Sequence, residues 1–179
     1  MSKKTMRTFV VHVQDLPGVL NRVASLFRRR GYNIHSLNVS TTHESAVSRM
    51  TILCEADDDM AKRIEANLYK LVNVLKVDDI SERPMVERDL ALIKVSVGAE
   101  QRSEVLQICD VFRARAVDVG TDSLIVEITG TQEKIDGLVQ VLAPFGIVEM
   151  VQTGAVAMTR GAVCPDVMRA IQEAKVRAA

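Results

Sequence analysis

The stretch Asp15-Leu16-Pro17-Gly18-Val19-Leu20 joins two runs of different hydrophobic period, and few folds accommodate such a join. Before it, Thr8-Phe9-Val10-Val11-His12-Val13 is rich in β-branched and aromatic residues and reads as a strand. After it, Val19, Leu20, Val23, Ala24 and Phe27 recur at helical spacing, and Gly31 stops the run. Pro17, with its fixed φ and no N–H, suits the first helical turn. Gly18 has no Cβ and lets a neighbouring backbone or a ligand come close. The junction thus offers unpaired backbone N–H groups at the positive end of a helix, which is a place for a carboxylate.

The rest of the chain builds two similar units around this pattern. Past Gly31 a strand is expected over Ile34–Thr42, then a polar turn at His43-Glu44-Ser45 and a strand over Val47–Glu55. Asp57-Asp58-Asp59 opens a second helix whose buried face is marked by Met60, Ile64, Leu68 and Leu71, and Val74–Val77 is a short fourth strand. The order βαββαβ is the ferredoxin-like split unit. Ser81-Glu82-Arg83-Pro84 reads as a linker.

The order then repeats. Strands are expected over Leu90–Val97, Ala116–Val119, Leu124–Thr129 and Ile147–Val151. One helix runs over Glu100–Ala114 with Val105, Ile108, Val111 and Phe112 inside, and another over Thr131–Leu142 with Ile135, Leu138, Val139 and Leu142 inside. The fold class is α+β, two tandem ferredoxin-like domains over residues 1–81 and 86–161, followed by a tail over 162–179 in which Pro165 could open a short helix. The second unit lacks the Pro-Gly junction, so it should not bind a ligand in the manner of the first.

Composition narrows the function classes. Lys+Arg and Asp+Glu are both 23, so there is no basic field for phosphates, and 3% aromatic content with no Trp provides no base-stacking platform. A nucleic-acid partner is therefore not expected. No apolar run reaches the length of a membrane span, and the N-terminal residues lead into a strand without a signal-type segment. The three cysteines, Cys54, Cys109 and Cys164, are far apart and odd in number, which fits neither a disulfide framework nor a zinc motif and favours a reducing, cytoplasmic setting. Near-neutral charge with 47% hydrophobic residues favours surface hidden in an oligomer.

Among the polar residues, Asp15 is a natural N-cap, or alternatively a partner for an amino group; the two roles compete for the same oxygens. Asn33, just past the far end of the first helix, can accept a hydrogen bond from an α-ammonium across a pseudo-symmetric dimer, or simply serve as a turn residue after Gly31. Arg28-Arg29-Arg30 suits the negative end of the helix dipole. His12 and His35 could lie on adjoining strands, but no His/Cys/carboxylate spacing supports a metal site, and Cys109 reads as a small core residue. No nucleophile elbow, zincin, P-loop or dinucleotide motif occurs, so no catalytic residue is assigned.

The run from Asp15 to Phe27, followed by Arg30-Gly31-Tyr32-Asn33-Ile34-His35-Ser36-Leu37, resembles an ACT domain, and more closely the small regulatory subunits of acetolactate synthase. Ser48–Ile52, Leu68–Leu75 and Thr159-Arg160-Gly161 follow that family in order. The resemblance implies a non-catalytic subunit, dimerised through its ACT domains, that binds a catalytic large subunit carrying thiamine diphosphate, Mg²⁺ and often FAD. It implies activation of that subunit and feedback inhibition, typically by valine, on the route to branched-chain amino acids. It also implies an effector held between two chains, by Asp15, Gly18, Val19 and Leu20 of one and Asn33 and Ile34 of the other. Many members carry Asn where this chain has Asp15; a carboxylate there could strengthen the ammonium contact, or repel the effector and fill the cap. Two other readings are a stand-alone amino-acid-sensing regulator and a small enzyme on the same scaffold.

Overall fold

Strict alternation along the first strand decides which of its side chains reach the core. In β1 (Thr5–Gln14), Phe9, Val11 and Val13 are all at most 1% exposed, and the register sets Phe9 opposite Ile52 and Val11 opposite Met50 on β3 (Val47–Ala56). Above this face lie α1 (Val19–Arg30), through Val19, Val23, Leu26 and Phe27, and α2 (Asp58–Leu68), through Ala61, Ile64 and Leu68. Edge strands β2 (Ser36–Thr41) and β4 (Val74–Asp79) complete an antiparallel sheet of order β2-β3-β1-β4. The structure, a computed structural model, describes residues 3–161; the expected tail helix lies outside the described residues.

The second unit has the same plan. Strands β5 (Met85–Ser96), β6 (Arg115–Val119), β7 (Ser123–Gly130) and β8 (Ile147–Gln152) are ordered β6-β7-β5-β8. Helices α3 (Arg102–Phe112) and α4 (Gln132–Leu142) cover the face formed by Ala91, Ile93, Val95, Leu124, Val126 and Ile128. The chain is therefore α+β with two ferredoxin-like units. In both, the central strand slips register against the last strand of its unit at a matching place, between His12 and Val13 in one and Lys94 and Val95 in the other. A bulge there adds twist as the strand leaves for its helix.

Several boundaries and faces differ from expectation. Strand β2 begins at Ser36 rather than Ile34, and β5 begins at Met85, directly after the proline that closes the linker. Val111, expected inside, is 81% exposed, because the buried stripe of α3 runs through Val105 and Cys109 with Ile108 and Phe112 half-buried beside it. His12 and His35 do not adjoin, since β3 lies between β1 and β2. The contacts group Glu87–Val156 as one unit, and Ala157, on β9 (Val156–Thr159), is buried with Val10, Ile80 and Met85 of the first.

On the face of the first sheet away from the helices, one register row carries Lys76, His12 and Arg49, and Asp78 follows Val77 on β4. Burial lowers the His12 pKa from 6.5, Arg49 and Lys76 lower it further, and Asp78 opposes them. Its Nδ1 is buried and has no hydrogen-bond partner among the described residues. A base whose folded pKa lies below its unfolded value contributes stability above the unfolded pKa and loses it as pH falls through 6.5 toward the folded value. His12→Gln is therefore expected to lose less stability than the parent between about pH 8 and about pH 5.5, read from urea midpoints.

Candidate functional site

The turn between β1 and α1 follows from two residues. Pro17 and Gly18 occupy its centre, with Gly18 at φ 83°, ψ −4°, and the Val19 N–H reaches the Leu16 carbonyl at 3.3 Å. That is a type II turn, with proline at its second position and a left-handed residue at its third. Pro17 thus precedes the helix rather than lying in its first turn. Glycine is required for its φ, since a Cβ on Gly18 would meet nothing within 4 Å.

Asp15 does not cap the helix. Gly18 is the N-cap residue and supplies no side chain; Asp15 Oδ1 accepts from the Ser48 hydroxyl at 3.0 Å, and its N–H donates to the Ala46 carbonyl at 2.9 Å. The type II turn sets the helix start three residues beyond Asp15, so the expected cap role passes to the turn itself. Of the four α-helices described, α1 alone has neither an acidic residue in its first turn nor a side-chain cap. By contrast, α2 has Asp58 and Asp59 there and the Asp57 carboxylate accepting from the Met60 N–H at 2.8 Å. The positive end of α1, with its first-turn N–H groups, is left uncompensated.

A polar bridge missed by sequence reasoning holds this helix end. Asn73, 8% exposed, donates from Nδ2 to Gln14 Oε1 at 2.7 Å and accepts from the Arg22 guanidinium, while its carbonyl takes the Gln14 N–H at 2.9 Å. The one hint in sequence is an asparagine just before a short strand. Its partners are 59 and 51 positions away.

The six expected effector residues do not converge within one chain. Asp15, Gly18 and Leu20 are exposed at the start of α1, and Leu20 presents 44% of its surface. Val19, expected to offer apolar surface, is 4% exposed and turned into the core, and its N–H is used by the turn. Exposed Asn33 and half-buried Ile34 follow the other end of α1, past Gly31. The two groups lie at opposite ends of this twelve-residue helix, about 18 Å long. No group of three His, Cys, Asp or Glu side chains among the described residues is placed to hold a metal ion, and no described helix is long and apolar enough to cross a membrane.

Comparison with known proteins places these features in a family. Residues 9–76 match the small-subunit-like ACT domain of acetohydroxyacid synthase, and residues 88–161 match the model described as the small subunit of acetolactate synthase. A probable acetolactate synthase small subunit from Archaeoglobus fulgidus is 47% identical over 154 residues, covering 86% of this chain and 96% of that protein. The chain belongs to the acetolactate synthase small-subunit family. The small subunit from Mycolicibacterium smegmatis is also 47% identical, over 86% of this chain and 91% of its own length. The crystal structure of the small subunit from Thermotoga maritima superposes with a TM-score of 0.83 at 37% identity, covering 89% of this chain and 99% of that one. Within this small-subunit fold, the strained requirement at Gly18 is testable. Gly18→Ala should fold with the same helix content and lose about 1 kcal/mol, the cost of a left-handed alanine, with Gly18→Asn losing less, both read from urea midpoints.

Proposed function

We propose that the chain is the regulatory small subunit of a cytoplasmic acetolactate synthase, that it raises the activity of the catalytic large subunit, and that it confers feedback inhibition by valine. On this reading thiamine diphosphate, Mg²⁺ and FAD belong to the large subunit, which condenses pyruvate with pyruvate or 2-oxobutyrate, and this chain contributes no catalytic group. Two copies pair through their first units, and the effector is held between them.

The observation that carries the effector site is the uncompensated start of α1, with no acidic residue in the first turn and no side-chain cap. A free carboxylate supplies the missing negative charge and accepts from the N–H groups of the first turn. The α-ammonium needs an acceptor, which Asn33 of a second copy offers through its carboxamide oxygen. Exposed Leu20 and half-buried Ile34 suit a branched apolar side chain. Asp15 keeps one oxygen on Ser48, so its second oxygen is available to the ammonium. Valine bridging two chains favours one dimer arrangement, and the catalytic subunit responds to that arrangement.

Isothermal titration of the purified chain with L-valine, with D-valine as control, tests this. Stereospecific binding at one site per chain or per dimer is expected. Asn33→Ala should weaken it by about tenfold or more, the loss of a hydrogen bond to a charged group. The same variant should retain activation of the large subunit while losing inhibition. Absence of binding in a folded dimer, or equal loss of activation and inhibition, would overturn the effector reading.

A further inference from the structure

Two charged depressions mark the first unit, and their charge balance differs. One, of about 500 Å³, is lined by Arg7, Lys62 and Arg83 together with Asp58, Glu65, Asp79 and Glu82, and Arg7 is already paired with Asp58 and Glu82. Its four carboxylates outnumber its three cations. The other, of about 330 Å³, lies where the C-terminal ends of α1 and α2 meet and is lined by Leu26, Arg29, Arg30, Asn67, Lys70 and Leu71. It carries three cations and no carboxylate.

Capping does not account for these cations. The last carbonyls of α1 are taken by backbone, with the Gly31 N–H on Arg28 and the Tyr32 N–H on Phe27. Those of α2 are likewise met by the N–H groups of Tyr69, Lys70 and Leu71. Arg29 Nε makes a single 3.4 Å contact with the Ser25 carbonyl, and no described carboxylate pairs with Arg29, Arg30 or Lys70. Asn67 adds an independent observation. It is 8% exposed, it lines the depression, and its carboxamide has no hydrogen-bond partner among the described residues. Its amide is open to the depression, so a polar atom from outside the chain can reach it.

We propose that this depression binds a small organic anion, a phosphate monoester or a carboxylate attached to an apolar body. The anionic group sits on Arg29, Arg30 and Lys70, where guanidinium forks suit two oxygens at once. The Asn67 carboxamide bonds a polar atom beside it, and the apolar body rests on Leu26 and Leu71. The volume is at the small end of ligand sites, enough for one ring and its head group. An α-amino acid does not fit this lining, because its ammonium would face three cations and no carboxylate. The site is therefore separate in chemistry and place from the start of α1.

Titration of the full chain at fixed ionic strength with phenyl phosphate, benzoate and inorganic phosphate, followed by calorimetry, tests the proposal. Saturable binding of phenyl phosphate at one site per chain is expected, about tenfold tighter than inorganic phosphate because of the buried ring. Benzoate binding as well as phenyl phosphate identifies a carboxylate site, and benzoate binding at least tenfold more weakly identifies a phosphate site. The double variant Arg29→Ala/Lys70→Ala should weaken binding by at least tenfold, and Asn67→Ala by severalfold. Arg28→Ala, which removes a charge outside the lining, should leave it within twofold. Absence of saturation by any probe to about 10 mM, or equal loss in Arg28→Ala and Arg29→Ala/Lys70→Ala, would overturn the proposal.

Discussion

The buried carboxamide of Asn73 joins three elements that the chain must otherwise orient independently. It bonds the Gln14 side chain at the end of β1, accepts from Arg22 on the first turn of α1, and immediately precedes β4, while its own carbonyl receives the Gln14 N–H. The Pro17-Gly18 turn follows this anchored strand end, and the start of α1 is exposed at Gly18 and Leu20. Had Asp15 capped the helix, its carboxylate would have neutralised that end. Its bond to Ser48 on β3 engages one carboxylate oxygen, and neither oxygen caps the helix.

The two units share a scaffold and differ where chemistry could occur. Both have the bulge at the end of the central strand, and both anchor the residue after it by matching backbone bonds, Asp15 to Ala46 and Val97 to Asp122. The second unit has no Pro-Gly turn before its first helix. Its α3 starts from Gln101 in helical conformation and carries Glu104 in the first turn, so the dipole is met within the chain. A repeated fold with a single uncompensated helix end fits a division of labour in which one unit senses and the other serves another purpose.

Alternation and helical spacing made the strands, three of the four helix faces and the repeat legible in the sequence, because these are determined by neighbours a few positions away. Val111 reads as buried in the sequence because β-branched residues at helical spacing look alike whichever stripe is buried; only the packing of Cys109 beside Val105 resolves it. Asp15 reads as a cap because a good cap residue carries no sign of a turn that begins one position later. Leu20 and Val19 are equally apolar, and their assignment to solvent and to core depends on the phase set by Gly18. Asn73, Arg22 and Ser48 act through partners tens of positions away, so no local pattern could assign them.

The length of α1 has a thermodynamic consequence for the proposed effector site. Gly18 precedes and Asn33 follows a helix about 18 Å long, farther than an amino acid spans. A ligand that uses both groups must therefore draw them from two chains, and its binding free energy becomes coupled to association. By linkage, whatever the ligand adds to the dimer, the dimer adds to ligand affinity, so apparent affinity rises with protein concentration until dimerisation saturates. A sensor confined to one chain would lack this dependence. The same coupling gives the signal its route outward, since a change in how two copies meet can be read at a surface that touches no ligand.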